Sequence, residues 1–163
     1  MAWPKRLIKI YTVAAAILVL SVSYLFWLLW LLSGSQFSPE SVEIVINQRR
    51  IKAEVVSSPI ALYRGLSGRT ELCRDCGLLF NFSGAEEREF VMRNMKFPLD
   101  IIFINAGQII NIARNLAPEG NNPQNIYRSS GPANQVLEIN GGYSEYFGFE
   151  AGDRVLIQRT DKK

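Results

Sequence analysis

The chain has 163 residues, with 18 Lys and Arg against 15 Asp and Glu, and it contains no histidine. That absence removes the commonest general base, and with it the Ser-His-Asp and Cys-His arrangements of nucleophilic catalysis. The length allows one domain with one core beside a separate apolar segment.

Residues 1–9 form a basic flank carrying Lys5, Arg6 and Lys9. From Ile10 to Leu32 the chain then runs for 23 residues without a charge. About 20 apolar residues span the hydrocarbon core as a helix, and a helix satisfies its own backbone there. With the cations on its N-terminal side, the span predicts a cytoplasmic N-terminus and an extracytoplasmic remainder. Tyr24, Trp27 and Trp30 stand near its outer end, where interfacial aromatics collect. The rival is a cleaved signal peptide, whose apolar region would be only about 7–15 residues long. Ser33 and Ser35 would make a poor cleavage site, and the length favours a retained single-pass anchor in the cell membrane. Ser33 to Pro39 reads as a short tether.

Beyond the basic flank, 15 cations face 15 anions. A domain that grips phosphate backbones carries a cationic excess or stripe, so a nucleic-acid partner is not expected. The expected partners are the membrane, through the N-terminal helix, and a polar or glycan ligand or an envelope protein.

Residues 40–160 read as one β-rich domain. Val42–Ile46 alternates apolar and charged residues like a half-buried strand, and Asn47-Gln48 suits a two-residue turn into a strand over Arg49–Val56. Ser58 and Pro59 signal a helix start, and Gly65 its end. Strands are predicted over Gly77–Phe82 and Glu89–Asn94. Asp100–Ile104 and Gln108–Ile112 flank Asn105-Ala106-Gly107 as a hairpin. Residues 117–133, with three prolines and three asparagines, form a long loop of the kind that is often functional. Val136–Ile139 and Arg154–Ile157 are the last strands, with a short helix over Tyr143–Gly148 and a tight turn at Ala151-Gly152-Asp153. The fold class is therefore β-rich α+β: a compact antiparallel sheet or barrel-like domain with one or two short helices, preceded by one transmembrane helix.

The order Arg64-Gly65-Leu66-x-x-Arg69, Gly77-Leu78-Leu79-Phe80-x-Phe82 and Phe90-x-Met92-x-Asn94-x-x-x-Pro98-Leu99-Asp100-Ile101-Ile102-Phe103 resembles the family called domain of unknown function 192. Ala117-Pro118, Val136-Leu137-Glu138-Ile139-x-x-Gly142 and Gly152-Asp153-x-Val155 extend the resemblance over roughly Ile51 to Ile157. It implies a compact β-rich fold in exported or anchored proteins and no established activity. Three positions depart from the family pattern: Val91 stands where Trp is frequent, Ser67 where Met is, and Met95 where Thr is usual. A pocket lined by this segment would have a changed wall.

Polar residues inside apolar stretches are the candidate site. Asp100 and Glu138 are carboxylates flanked by large apolar residues, and an unpaired buried charge is costly. Arg64 and Arg69 are natural bidentate partners. One reading is a structural Arg–carboxylate pair, with Asp100 held by Arg69 or Arg64. Another is a ligand-binding group of Arg64, Arg69, Asn94, Asp100 and Glu138 for an anionic or polyhydroxyl ligand. A third makes Asp100 and Glu138 the acid/base pair of a glycan hydrolase, which needs the two carboxyls roughly 5–9.5 Å apart across a cleft. Cys73 and Cys76 are expected to form a local disulfide outside the cytoplasm; a redox site would need them at a helix N-terminus. Four zinc ligands are lacking in one chain, and no phosphate loop or dinucleotide fingerprint appears, so neither metal nor cofactor is expected. The chain reads as a membrane-anchored extracytoplasmic binding or envelope-accessory module rather than an enzyme. The alternatives are a carboxylate-dependent hydrolase of envelope glycan and a minor thiol–disulfide component.

Overall fold

The computed structural model describes residues 17–29 and 40–159. The chain divides into two compact units, residues 1–38 and 39–163. In the first, residues 17–29 are helical (α1), with Ile17, Leu20, Leu25, Phe26 and Leu29 more than half exposed. Ser21 and Ser23 donate their hydroxyls to the helix's own carbonyls at Leu18 and Val19. Among the described residues no helix is long and apolar enough to cross a membrane. The remainder of the anticipated span, residues 10–16 and 30–32, and the whole tether lie outside the described residues.

The second unit is built on a seven-stranded sheet. Its elements are β1 (Ser41–Ile46), β2 (Arg49–Val56), α2 (Pro59–Arg64), β3 (Cys76–Glu86), β4 (Glu89–Phe90), β5 (Leu99–Asn105), β6 (Gln108–Leu116), β7 (Tyr127–Arg128), β8 (Ala133–Asn140), α3 (Tyr143–Tyr146) and β9 (Leu156–Arg159). The strand order is β6-β5-β8-β3-β2-β1-β9, and β4 and β7 form a separate two-stranded ribbon. Local chemistry explains the joints. Asn47 and Gln48 both take positive φ, as a two-residue hairpin turn requires, and Ala106-Gly107 does the same between β5 and β6. Ser58 caps α2 by accepting from the Ala61 amide, and Gly65 ends it at φ 51°.

The sheet is mixed, not purely antiparallel, because β2 and β3 run parallel. Such a pair cannot be closed by a hairpin and needs a long crossover, here residues 57–75 with α2 inside it. Nor is the sheet a closed barrel. β6 approaches the start of β9 through one isolated bridge, Gln108 to Arg154, and no ladder follows. The anticipated strand over Glu89–Asn94 shrinks to Glu89–Phe90. Beyond it the backbone is committed to loops: Asn94 donates to Gly120 and accepts from Gly68, and Met92 accepts from Glu119. The loop over residues 117–133 contains the short β7 and yields its last residue to β8.

Both sheet faces are covered. One packs Ile44, Ile51, Leu79, Ile102, Leu137 and Ile139 with Phe149 and Val155. The other packs Leu66, Leu78, Phe80, Met92, Ile101 and Phe103. Every residue of β5 except Asn105 is accordingly buried, as expected of a strand with cover on both sides.

Asp100 lies on the first face, fully buried, and its partner is not an arginine. The Asn115 and Gly142 amides donate to Oδ1 at 2.6 and 2.9 Å. The Ser144 amide and hydroxyl donate to Oδ2 at 2.7 and 2.6 Å. Asp100 thus caps α3 from a neighbouring strand, since Gly142 at the N-cap has no side chain to do so. A carboxylate at a helix start satisfies amides that the helix leaves unpaired. The expected pairing of Asp100 with Arg64 or Arg69 is therefore corrected: backbone amides outcompete guanidinium because the chain already brings them to this point. Gly141 makes the approach feasible, as a Cβ there would lie 2.8 Å from both Pro98 Cβ and Asn115 Oδ1.

Asp100→Ala should strand three amides and a hydroxyl in the core and cost about 3–5 kcal/mol, each buried donor left unpaired costing about 1–3 kcal/mol. Urea denaturation reads the loss, and a double-mutant cycle with Arg64→Ala or Arg69→Ala should show coupling near zero.

Candidate functional site

Register decides which carboxylates can work together. Residues opposite one another across strands share a face, and successive residues alternate. Glu138 stands opposite Ile101 on β5 and Leu78 on β3. Asp100 stands opposite Ile139. The two carboxylates therefore project from opposite faces of the sheet, and an acid/base pair from Asp100 and Glu138 is ruled out. Leu78 is in turn opposite Glu54 on β2, so Glu54 and Glu138 share one cross-sheet row.

Over that row lies the crossover. Arg69 forks onto Glu54 with two hydrogen bonds of 2.8 and 2.6 Å. This ion pair is over a third exposed on both sides, so it contributes at most about 1 kcal/mol. The pairing holds Glu54 below the usual carboxylate range, chiefly through the hydrogen bonds from Arg69. Just before Arg69, the loop seats Leu66 in the core. Ser67 donates its hydroxyl to the Arg93 carbonyl, and the Gly68 amide donates to Asn94. Gly65 is required where it stands: at positive φ, with an added Cβ only 3.2 Å from Phe80 and 3.5 Å from Glu138 Oε2.

Glu138 itself is 6% exposed. Its carboxyl accepts from the Leu66 amide, while Oε2 is buried without a partner. Burial pushes its pKa up to about 8, against the smaller opposing pull of the Leu66 hydrogen bond and of Arg69. At neutral pH it is a carboxylic acid, able to donate as well as accept.

Glu138 lines a cavity of about 460 Å³, within the range that holds small molecules. The end of α2 and its turn, Leu62 to Leu66, line it together with Phe80, Phe82, Arg88, Phe90 and Arg93. Phe80 meets Phe90 edge-on at 4.9 Å, giving a stiff apolar side. Arg88 stacks over Phe82 and donates to the Gly84 and Ala133 carbonyls. Arg93 stacks over Tyr63 and donates to its carbonyl. The Arg64 carbonyl accepts from the Ser67 amide, but its guanidinium makes no hydrogen bond or ion pair among the described residues.

Of the five residues singled out in the sequence, Arg64 and Glu138 therefore meet at one cavity. Arg69 reaches it only through its field on Glu138, Asn94 serves the adjoining loops, and Asp100 is a cap on the far face. Arg88 and Arg93 escaped sequence reasoning, having no apolar run around them to mark them. The positions that depart from the family pattern, Ser67, Val91 and Met95, all line this cavity.

Cys73 and Cys76 are joined as a disulfide. Asn140 Nδ2 donates to the Leu72, Cys73 and Arg74 carbonyls and holds the small loop to β8. Cys76 opens a strand and no helix begins at Cys73, so the geometry of a helix-borne redox pair is missing.

Comparison with known proteins gives a family model, described as Uncharacterized ACR, that matches residues 42–157. A Sinorhizobium meliloti 1021 protein with a provisional description as a transcription regulator is similar in structure, with TM-score 0.66 and 29% identity over 74% of this chain and 94% of that one. A protein of unknown function from Novosphingobium aromaticivorans DSM 12444 gives TM-score 0.64 and 33% identity over 71% of this chain and 83% of that one. No curated protein matches.

The raised pKa of Glu138 has a signed consequence. From its ordinary value of 4.5 to about 8, the unfolded chain ionises while the folded one stays protonated, so stability falls as pH rises through that window. Glu138→Gln should remove this slope and leave the variant more stable than wild type at pH 8.5 by roughly 2–5 kcal/mol. Urea midpoints at pH 4.5, 6.5 and 8.5 check it; parallel pH curves for the two proteins would refute it.

Proposed function

The chain belongs to the domain of unknown function 192 family, and on that footing we propose that it is a membrane-tethered binding module working outside the cytoplasm. The single observation that carries the binding reading is Glu138: a buried carboxyl with a free oxygen at a cavity of small-molecule size. A buried polar group without a partner costs stability, and a bound ligand would supply the missing partner. An ordinary core position would carry Leu or Val there.

The anchor reading is supported by the 23 uncharged residues from Ile10 to Leu32 behind Lys5, Arg6 and Lys9. The exposed apolar surface of α1 supports it too, because a helix apolar on all sides calls for an apolar surrounding. The back-bonded hydroxyls of Ser21 and Ser23 suit that setting. The Cys73–Cys76 disulfide fits an oxidising compartment.

Protease added to spheroplasts expressing the full chain should digest the C-terminal domain, and alkaline carbonate should leave the uncut protein in the pellet. Protection would reverse the orientation, and release would mean cleavage. Within the cavity, Val91→Trp should reduce the small molecules retained by the full chain in native mass spectrometry by about tenfold, without loss of folding. Equal retention would move the site elsewhere.

A further inference from the structure

We propose that the cavity takes a zwitterion, with the ligand's ammonium on Glu138 and its carboxylate or phosphate on Arg64. This deepens the binding reading and rests on it.

The geometry separates two opposite charges that ordinarily would find each other. Arg64 and Glu138 meet at the same cavity, and Arg64 directly precedes the Gly65-Leu66 turn that packs on Glu138. Yet no ion pair joins them. The Leu66 amide takes the Glu138 carboxyl instead, leaving Oε2 buried without a hydrogen-bond partner and the exposed guanidinium of Arg64 free among the described residues. The other arginines of the wall are already engaged by carbonyls and ring faces. One cation and one buried acid thus remain to be satisfied.

Charge balance selects the ligand class. The lining holds Arg64, Arg88 and Arg93 against Glu87, Glu89 and Glu138, so both signs are equally represented once Glu138 ionises. With Glu138 protonated the lining carries one excess positive charge, which a simple anion would balance while leaving Glu138 Oε2 without a partner. A lone cation would ionise Glu138 and leave its own charge uncompensated in a half-enclosed site, where it is poorly screened. A neutral ligand with separated charges leaves none. Its ammonium brings three donors to the carboxylate, and Arg64 can fork onto the anionic end. Leu62, Phe80 and Phe90 lie along the walls for a short methylene spacer.

Binding also moves a proton. Before binding, Glu138 holds a proton at neutral pH; facing an ammonium it becomes a carboxylate, and the proton goes to solvent. The charged group that acts on it is Arg69 from the crossover, itself tied to Glu54 on β2, while Arg64 at the end of α2 lines the same cavity.

The test is titration calorimetry of the full chain in maltoside micelles, with glycine, β-alanine, γ-aminobutyrate and phosphoethanolamine as zwitterions of different length. Butyrate and butylamine are the single-charge controls. At least one zwitterion should bind about tenfold or more tighter than either control. Buffers of different ionisation heat should report release of about one proton at pH 7. Arg64→Gln should weaken binding by about tenfold, and Glu138→Gln should abolish the proton release. Binding confined to phosphatidylethanolamine in mixed micelles would name a lipid headgroup as the source; binding of the soluble compounds would name a free metabolite. Butyrate or butylamine binding as tightly as the zwitterions overturns this proposal and leaves the binding module standing. Silence from every probe and from phosphatidylethanolamine, together with nothing retained in native mass spectrometry, overturns both.

Discussion

The parallel pairing of β2 with β3 is the constraint from which the site follows. Two parallel neighbours cannot be joined at one end of the sheet, so the chain must leave β2, cross over one face and re-enter at β3. The crossover carries α2, the Gly65 turn and Arg69, and it lands on the face that holds Leu78, Phe80 and Glu138. Leu66 fastens it by burial, and the Arg69–Glu54 fork fastens its far end. Without the parallel register the arginine at the end of α2 and the glutamate in the middle of β8 would have no common surface.

Two buried carboxylates sit one strand apart and are handled in opposite ways. Asp100 receives four hydrogen bonds and locks β5 to β6 and to the start of α3. Arg114 extends the lock, donating to the Ser144 hydroxyl and the Phe149 carbonyl. Glu138 receives one amide and keeps an oxygen unpaired. A saturated carboxylate has no capacity left for a ligand, so Asp100 is spent on architecture. The unsaturated one is the residue at which chemistry with another molecule is available.

The loop over residues 117–126 shows a third use of acid. Glu119 accepts from the Gln124 and Asn125 amides, the Asn125 side chain and the Tyr127 hydroxyl. These donors hold its pKa down at about 2. The loop is thereby shaped by its own side chains, and its Gly120 carbonyl and Glu119 amide brace the Met92–Asn94 segment beside the cavity. The proline- and asparagine-rich composition marked a loop, but gave no sign that one glutamate organises it.

What the sequence by itself determined was whatever is encoded within a few residues. The Asn47-Gln48 turn, the Ser58-Pro59 start and Gly65 end of α2, the β5–β6 hairpin and the Cys73–Cys76 bridge each rest on local backbone preference or short reach, and each stands as read. The family resemblance was legible for a similar reason, since it lives in the order of short motifs. The tertiary structure alone decided strand order, the one parallel pair and the faces on which Asp100 and Glu138 fall. Those depend on cross-strand register, where a shift of one residue turns every side chain to the other face, and no residue type announces it. It also decided Asp100's partners, because backbone amides are the same at every position and become donors to a given carboxylate only when folding brings them there.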